Sequence, residues 1–306
     1  MFSRRSFLSN VVLLAAGAGA VWLLRERVLW APPQPSFATG GSTGWLPFAS
    51  DRAVVPTVRA EIEGRRINAL IDSGAQYSAI DRGFAEALGL RSSFAPLVAV
   101  GVSGQPQLGR GVSADVSVGG LRLEDLKAAV LELGPIAGPR GLSAPLILGQ
   151  DVLRGLVADI DFPGRRMMLL AADAHVLPQT AQAAPTRLQG RALAVQVSVG
   201  DTPLEVTVDT GASAVLALTR QTADSLGLLT GQKPRTAASI VLGGAVRAQV
   251  ITAPEVTFAG HTYEDVDVMI FDAARLPGFP RGLLGAGALE RFRTILNHAE
   301  GQIHLV

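Results

Sequence analysis

The stretch ALIDSGAQYSAI, Ala69 to Ile80, decides how the chain is read. A run of apolar residues ends on a carboxylate, Asp72, and Ser73 and Gly74 follow at once. Asp, Ser and Gly each favour turns for local backbone reasons, so one copy of this pattern reads as the end of a strand. There are two copies. TVDTGASAVLAL, Thr207 to Leu218, repeats the pattern and places Asp209 137 residues after Asp72. Downstream, AEALGL ending at Leu90 returns as ADSLGL ending at Leu228, and LILGQDVL returns as GLLGAGAL, carrying Gly149 onto Gly285. Upstream, VPTVRAEIEGRRINALID corresponds to LAVQVSVGDTPLEVTVD. Matching blocks in one order at nearly constant offset mark an internal duplication.

The chain therefore divides into two similar lobes, 54–170 and 190–306, joined by a linker at 171–189 rich in Ala, Gln, Pro and Thr. Residues 31–53 read as a Pro/Gly-rich stalk. Within the lobes VRAEI and LAVQVSV alternate roughly, EGRR and GDTP have hairpin-turn chemistry, and Val, Ile, Leu and Thr fill the apolar runs. DRGFAEALGL and TRQTADSLGL each read as a short helix reaching Gly near its C-terminal end. The expected fold is mainly β: two compact lobes with one or two short helices each, related by a pseudo-two-fold axis, with a site between them.

A two-fold axis brings equivalent points of the lobes together, so loops facing it make Asp72 and Asp209 neighbours. Two carboxylates about 3 Å apart do not both ionise at low cost and share one proton. The ionised member takes a proton from a water between them, and the protonated member polarises a substrate carbonyl. Gly74 and Gly211 allow close backbone approach to each carboxylate, and Ser73 and Thr210 are placed to hydrogen-bond across the axis.

These residues resemble the retropepsin-like aspartic peptidases, here with both halves in one polypeptide. The family's Asp-Thr/Ser-Gly-Ala loop corresponds to Asp72-Ser73-Gly74-Ala75 and Asp209-Thr210-Gly211-Ala212. Its second signature, two apolar residues and a glycine before a short helix, corresponds to Ile147-Leu148-Gly149 and Leu283-Leu284-Gly285. The resemblance covers nearly all of 54–306. It implies pepsin/retropepsin-like lobes, an endopeptidase acting on polypeptides without a cofactor or metal, Asp72 and Asp209 as the catalytic pair, and a monomer that is internally a pseudo-dimer. It also implies a glycine-bearing flap over the site, for which GVSGQPQLG around Gly104 and VLGGAVR around Gly243 and Gly244 are the candidates. The charged residue usual after the second signature is not obvious in lobe two, where GAGALERF stands opposite GQDVLRGL. The competing reading is a peptide-binding or structural module that keeps the fold without turnover. Intact motifs in both lobes favour the enzyme.

Of the 306 residues, 48% are apolar and 17% charged, which suits a sizeable core, and a net charge of +1 without a basic-aromatic stretch argues against nucleic acid. The absence of cysteine excludes disulfides, thiolate metal sites and cysteine nucleophiles. SRRSFL, Ser3 to Leu8, precedes an apolar run from Val11 to Leu24 and resembles a twin-arginine export signal. Residues 1–30 thus read as a signal peptide or as a retained anchor: Ala18-Gly19-Ala20 fits cleavage, whereas Phe7 to Leu24 is long enough to span a membrane. Either way the lobes are expected in the periplasm. Other motifs weigh little. Gly40-Gly41-Ser42-Thr43-Gly44 matches G-x-S-x-G but lacks a strand before it and a helix after it. Asp159 and Asp161 are expected in a turn between the last strands of lobe one, and Gly285-Ala286-Gly287 lacks the third glycine of a dinucleotide loop. His175, His261, His298 and His304 have no metal-ligand spacing, and the only lysines, Lys127 and Lys233, lie outside phosphate-loop motifs.

Overall fold

The structure, a computed structural model, describes residues 31–51, 53–92, 94–100, 106–241, 244–271 and 280–306. Two short strands, β1 (Pro35–Phe37) and β2 (Leu46–Pro47), precede lobe one. Lobe one comprises β3 (Thr57–Ile62), β4 (Arg65–Ile71), β5 (Ala79–Asp81), α1 (Arg82–Ala87), β6 (Phe94–Val100) and β7 (Pro106–Val118). It continues with β8 (Leu121–Leu131), β9 (Leu146–Leu148), α2 (Gln150–Leu153), β10 (Val157–Asp161) and β11 (Arg166–Leu170). After β12 (Gln182–Ala184) and β13 (Thr186–Gln189), lobe two repeats the series as β14 (Ala192–Val199), β15 (Thr202–Asp209), β16 (Leu216–Thr219), α3 (Arg220–Ser225) and β17 (Arg235–Val241). It ends with β18 (Gly244–Phe258), β19 (His261–Phe271), β20 (Gly282–Gly285), α4 (Ala286–Leu289), β21 (Arg293–Asn297) and β22 (Gln302–Leu305).

Each lobe closes a six-stranded barrel. In lobe one the order β8-β5-β9-β4-β3-β7 returns to β8, and in lobe two β19-β16-β20-β15-β14-β18 returns to β19. Closure gives each strand a barrel neighbour on both sides over part of its length, and an inner face. Val58, Ala60 and Ile62 of β3 point inwards while Arg59 and Glu61 face solvent, the period-two pattern expected of a half-buried strand. The two longer helices begin on side-chain caps, Asp81 accepting from the Phe84 N–H and Thr219 from the Thr222 N–H, and end at Gly89 and Gly227 with left-handed φ.

A third sheet joins the lobes. Its order, β12-β22-β21-β10-β11-β2, places β10 of lobe one against β21 of lobe two at the centre. Residues 31–53 and 171–189, expected as a stalk and a linker, instead supply the outer strands of this sheet and the edge strands β1 and β13. Backbone pairing claims them despite their Pro, Gly and Ala content, since two or three residues suffice for an edge strand. The Gly40–Gly44 segment is a turn beside that sheet: Ser42 bridges Leu170 and its hydroxyl accepts the Gly44 N–H. Neither Asp159 nor Asp161 lies in the turn itself: Asp159 is within strand β10, and Asp161 ends that strand and accepts the Gly164 N–H of the turn that follows. Fully buried, Asp159 accepts a bidentate pair from Arg293 of the opposite lobe at 2.8 and 2.6 Å, and the Arg293 guanidinium lies 5.1 Å over the Trp45 ring. Among the described residues no helix is long and apolar enough to cross a membrane. Residues 1–30, the candidate signal or anchor, lie outside them, as do Gly104 and Gly243.

Candidate active site

Both Asp loops are placed by parallel strand pairing. β4 runs beside β9, Ile71 opposite Leu148, and β15 beside β20, Asp209 opposite Gly285. The second signature thus lies along the strand that delivers each carboxylate, and then turns under the loop. The Gln150 N–H donates to the Ala75 carbonyl at 2.8 Å, and the Ala286 N–H to the Ala212 carbonyl at 2.7 Å. This crossing requires glycine. A Cβ on Gly149 would stand 2.7 Å from the Ala75 oxygen, and one on Gly285 would stand 2.2 Å from the Ala214 oxygen.

Ser73 and Thr210 lock the loops together from opposite lobes, and both are fully buried. The Ser73 hydroxyl donates to the Val208 carbonyl at 2.8 Å and accepts the Thr210 N–H at 3.1 Å. Reciprocally, the Thr210 hydroxyl donates to the Ile71 carbonyl at 2.7 Å and accepts the Ser73 N–H at 3.0 Å. Each hydroxyl donates one bond and accepts one across the axis, which fixes the lobe spacing at the point where the carboxylates sit.

Asp72 and Asp209 are neighbours, as the duplication implied. Each carboxylate accepts two N–H groups of its own loop: Asp72 from Gly74 and Ala75 at 2.8 and 3.0 Å, and Asp209 from Gly211 and Ala212 at 2.9 and 3.1 Å. The glycines also serve the opposite lobe. A Cβ on Gly74 would lie 2.5 Å from Asp209 Cγ, and one on Gly211 would lie 2.5 Å from Asp72 Oδ2. Each carboxylate therefore rests on the bare Cα of the other lobe's loop, and a side chain there would drive the pair apart. Burial pushes the Asp209 carboxyl well above its ordinary value, the charge of Asp72 and the hydrogen bond between the two adding to it, against the Gly211 and Ala212 N–H groups. Burial also raises Asp72, opposed by the Ala75 and Gly74 N–H groups and by the bond to Asp209. The pair holds a proton above the range in which isolated carboxyls lose theirs.

Support beneath the loops differs between lobes. In lobe one the buried Asp151 carboxylate accepts the Ser78 N–H at 3.0 Å and the Ser78 hydroxyl at 2.8 Å, while Gln150 Nε2 donates to the Ser73 carbonyl at 2.7 Å. Lobe two has Val215, Gly287 and Ala286 at the equivalent positions. There a Cβ on Gly287 would meet the Ser213 oxygen at 2.8 Å, so the backbone packs into the space that the Ser78–Asp151 pair fills in lobe one. Gln150, Ser78 and Asp151 were not singled out from the sequence, although the mismatch between GQD and GAG was their signal. Of the flap candidates, Gly244 begins β18, directly after the hairpin in which Val241 pairs with it, and the strands flanking Gly104 pair Val100 with Pro106. Among the described residues no group of acidic or histidine side chains has metal-binding geometry.

Residues 58–152 and 195–288 match the family described as aspartyl protease, one segment per lobe. Together the segments make up more than half of the chain, and the protein belongs to that family. Among the many matching solved structures is a retropepsin-like aspartic protease from Rickettsia conorii, 26% identical, with a TM-score of 0.32, covering 41% of this chain and 89% of that one. No curated protein matches the chain.

Proposed function

We propose that the chain is an active aspartic endopeptidase in which Asp72 and Asp209 work as one pair. The observation that carries this reading is the packing of each carboxylate against the other lobe's glycine, with burial holding one proton on the pair. The ionised carboxylate takes a proton from a water, whose oxygen attacks the peptide carbonyl carbon, while the protonated carboxylate gives its proton to the carbonyl oxygen. The resulting gem-diol collapses as one carboxyl gives its proton to the leaving nitrogen and the ionised one takes a proton from a gem-diol hydroxyl, so the C–N bond breaks without a covalent enzyme intermediate and the pair regains its single proton. The Ser73–Thr210 lattice contributes by holding the carboxylates at one separation through the cycle. The intact Asp-Ser/Thr-Gly in both lobes supports turnover over a binding-only module. The assay is cleavage of an unfolded protein, with a hydroxyl-containing peptide mimic as competitor. Cleavage blocked by the mimic supports the reading. Tight binding of the mimic with no cleavage of any unfolded protein overturns it in favour of a binding module.

The same reading places the lobes outside the cytoplasm, on the strength of Arg4-Arg5 and the apolar run that follows. Replacing both arginines by lysine is expected to leave the protein in the cytoplasm, and unchanged export of that variant contradicts the twin-arginine route.

A further inference from the structure

The lobes differ at one strand edge. β8 and β19 are equivalent: each follows a two-residue turn, each carries Glu-Asp (Glu124-Asp125, Glu264-Asp265), and each has a local irregularity at an Asp with left-handed φ, 53° and 49°, where β8 shifts register on β7 while β19 keeps its register on β18. Beyond that irregularity both pair in parallel with the strand that follows the Asp loop, β5 or β16. Before it they part. In lobe one β1 lies antiparallel on β8, Pro35–Phe37 opposite Leu121–Leu123, and Phe37 packs against the core. In lobe two no described strand takes that edge of β19 over His261–Asp267, because the extra strand of this lobe, β13, pairs with β14 instead. A groove of about 730 Å³ remains between this edge and Ser213–Val215, with Met269 and Arg291 also lining it.

An unpaired edge offers a row of main-chain donors and acceptors, and an extended peptide is the ligand that satisfies them. Charge selects among peptides. Glu264 and Asp265 are exposed on the rim and have no ion-pair partner among the described residues, whereas Asp267 is paired with Arg235. Among the described residues the one cation lining the groove, Arg291, lies 5.1 Å over the Tyr263 ring. We propose that the open edge of β19 is a strand-docking site for an extended polypeptide segment carrying lysine or arginine. The segment adds antiparallel opposite His261–Tyr263, in the register β1 adopts on lobe one, with its cations at Glu264 and Asp265. The site lies on one lobe and does not depend on the proposed hydrolysis.

The test uses the full 306-residue chain with Asp72→Asn, so that binding is read without cleavage. The probe is a fluorescent peptide with the sequence of residues 31–41, APPQPSFATGG, carrying lysine in place of Pro33 and Gln34, the positions this register sets opposite Asp265 and Glu264; the unsubstituted peptide is the control. The lysine peptide is expected to bind with a salt-dependent affinity, about tenfold or more tighter than the control, and Glu264→Lys is expected to abolish that difference. Amide exchange should slow over His261–Glu264 on binding. Equal affinity of the two peptides, indifference to Glu264→Lys, or protection at Leu121–Leu123 instead overturns the proposal. Protection of His261–Glu264 that grows with protein concentration in the absence of peptide also overturns it, because a second copy then fills the edge. Absence of proteolysis by the unmutated chain bears on the proposed activity alone.

Discussion

Ala75 and Ala212 follow the Asp-Ser/Thr-Gly triplets, and neither side chain can donate a hydrogen bond to the carboxylate beside it. The N–H groups that do donate compete with burial, and burial is the larger effect at both Asp72 and Asp209. The first proton of the pair is therefore lost at higher pH than from isolated carboxyls, which moves the acid limb of kcat/KM upwards. An optimum at roughly pH 5 to 7 is expected on a small peptide, and a bell centred near pH 3 would show that another donor stabilises the ionised pair. Stability runs the other way. The folded Asp209 stays protonated where the unfolded one ionises, so its contribution declines as pH rises from about 4 through the raised folded value. Asp209→Asn removes that decline. The variant is expected to melt above the parent at pH 7 and level with it at pH 3; a lower melting point at pH 7 would show that the ionised pair stabilises the fold. The juxtaposition of Asp72 with Asp209 and of Ser73 with Thr210 was legible in the sequence because each occurs twice in the same setting. The need for Gly74 and Gly211 was legible only as close backbone approach. That each glycine faces the opposite carboxylate follows from lobe geometry, which no local pattern encodes.

Strands long enough to alternate, β3, β4, β14 and β15, were readable, as were both helices with a side-chain cap and a terminal glycine. β1, β2, β12 and β13 were not, because two to four residues carry no period and their partners lie far away in sequence. Asp159 shows the same limit: the repeat, which sets VADIDFPG opposite TILNHAEG, suggested a turn, while its actual partner, Arg293, comes from the other lobe. His298, in the turn after β21, is another case. Its ring is buried with neither nitrogen hydrogen-bonded within the protein, and burial lowers its pKa to about 4. Below about pH 6.5 the unfolded chain takes up a proton that the folded ring refuses, so stability falls as pH drops from there towards 4, by up to about 3 kcal/mol. Urea unfolding of His298→Phe should show a shallower loss over that window than the parent. An unchanged pH slope would mean that the ring is hydrated and not buried neutral.

Joining the lobes in one chain sets how the whole molecule behaves. The chain at 171–189 joins the lobes covalently, and the central sheet, with β10 against β21 and Asp159 against Arg293, holds them together by hydrogen bonds and an ion pair. The full chain is expected to show specific activity independent of concentration over a range in which light scattering reports a monomer. Activity that falls on dilution together with dissociation would show that the lobes pair between chains. The duplication made this architecture legible, since two equivalent lobes about one axis bring Asp72 and Asp209 together wherever each loop faces it. The differing supports, Ser78–Asp151 against Val215–Gly287, were less legible, because compensating changes at contacting positions look unrelated in sequence. The central claim is that the two carboxylates act as one unit contributed by two lobes. Its most direct test is kcat/KM for Asp72→Asn, Asp209→Asn and the double variant on one peptide. Each single change is expected to cost about 10³-fold or more and the double little beyond that, because either loss already disables the shared-proton pair. Single losses that multiply in the double variant, or either single variant retaining substantial turnover, would contradict the account.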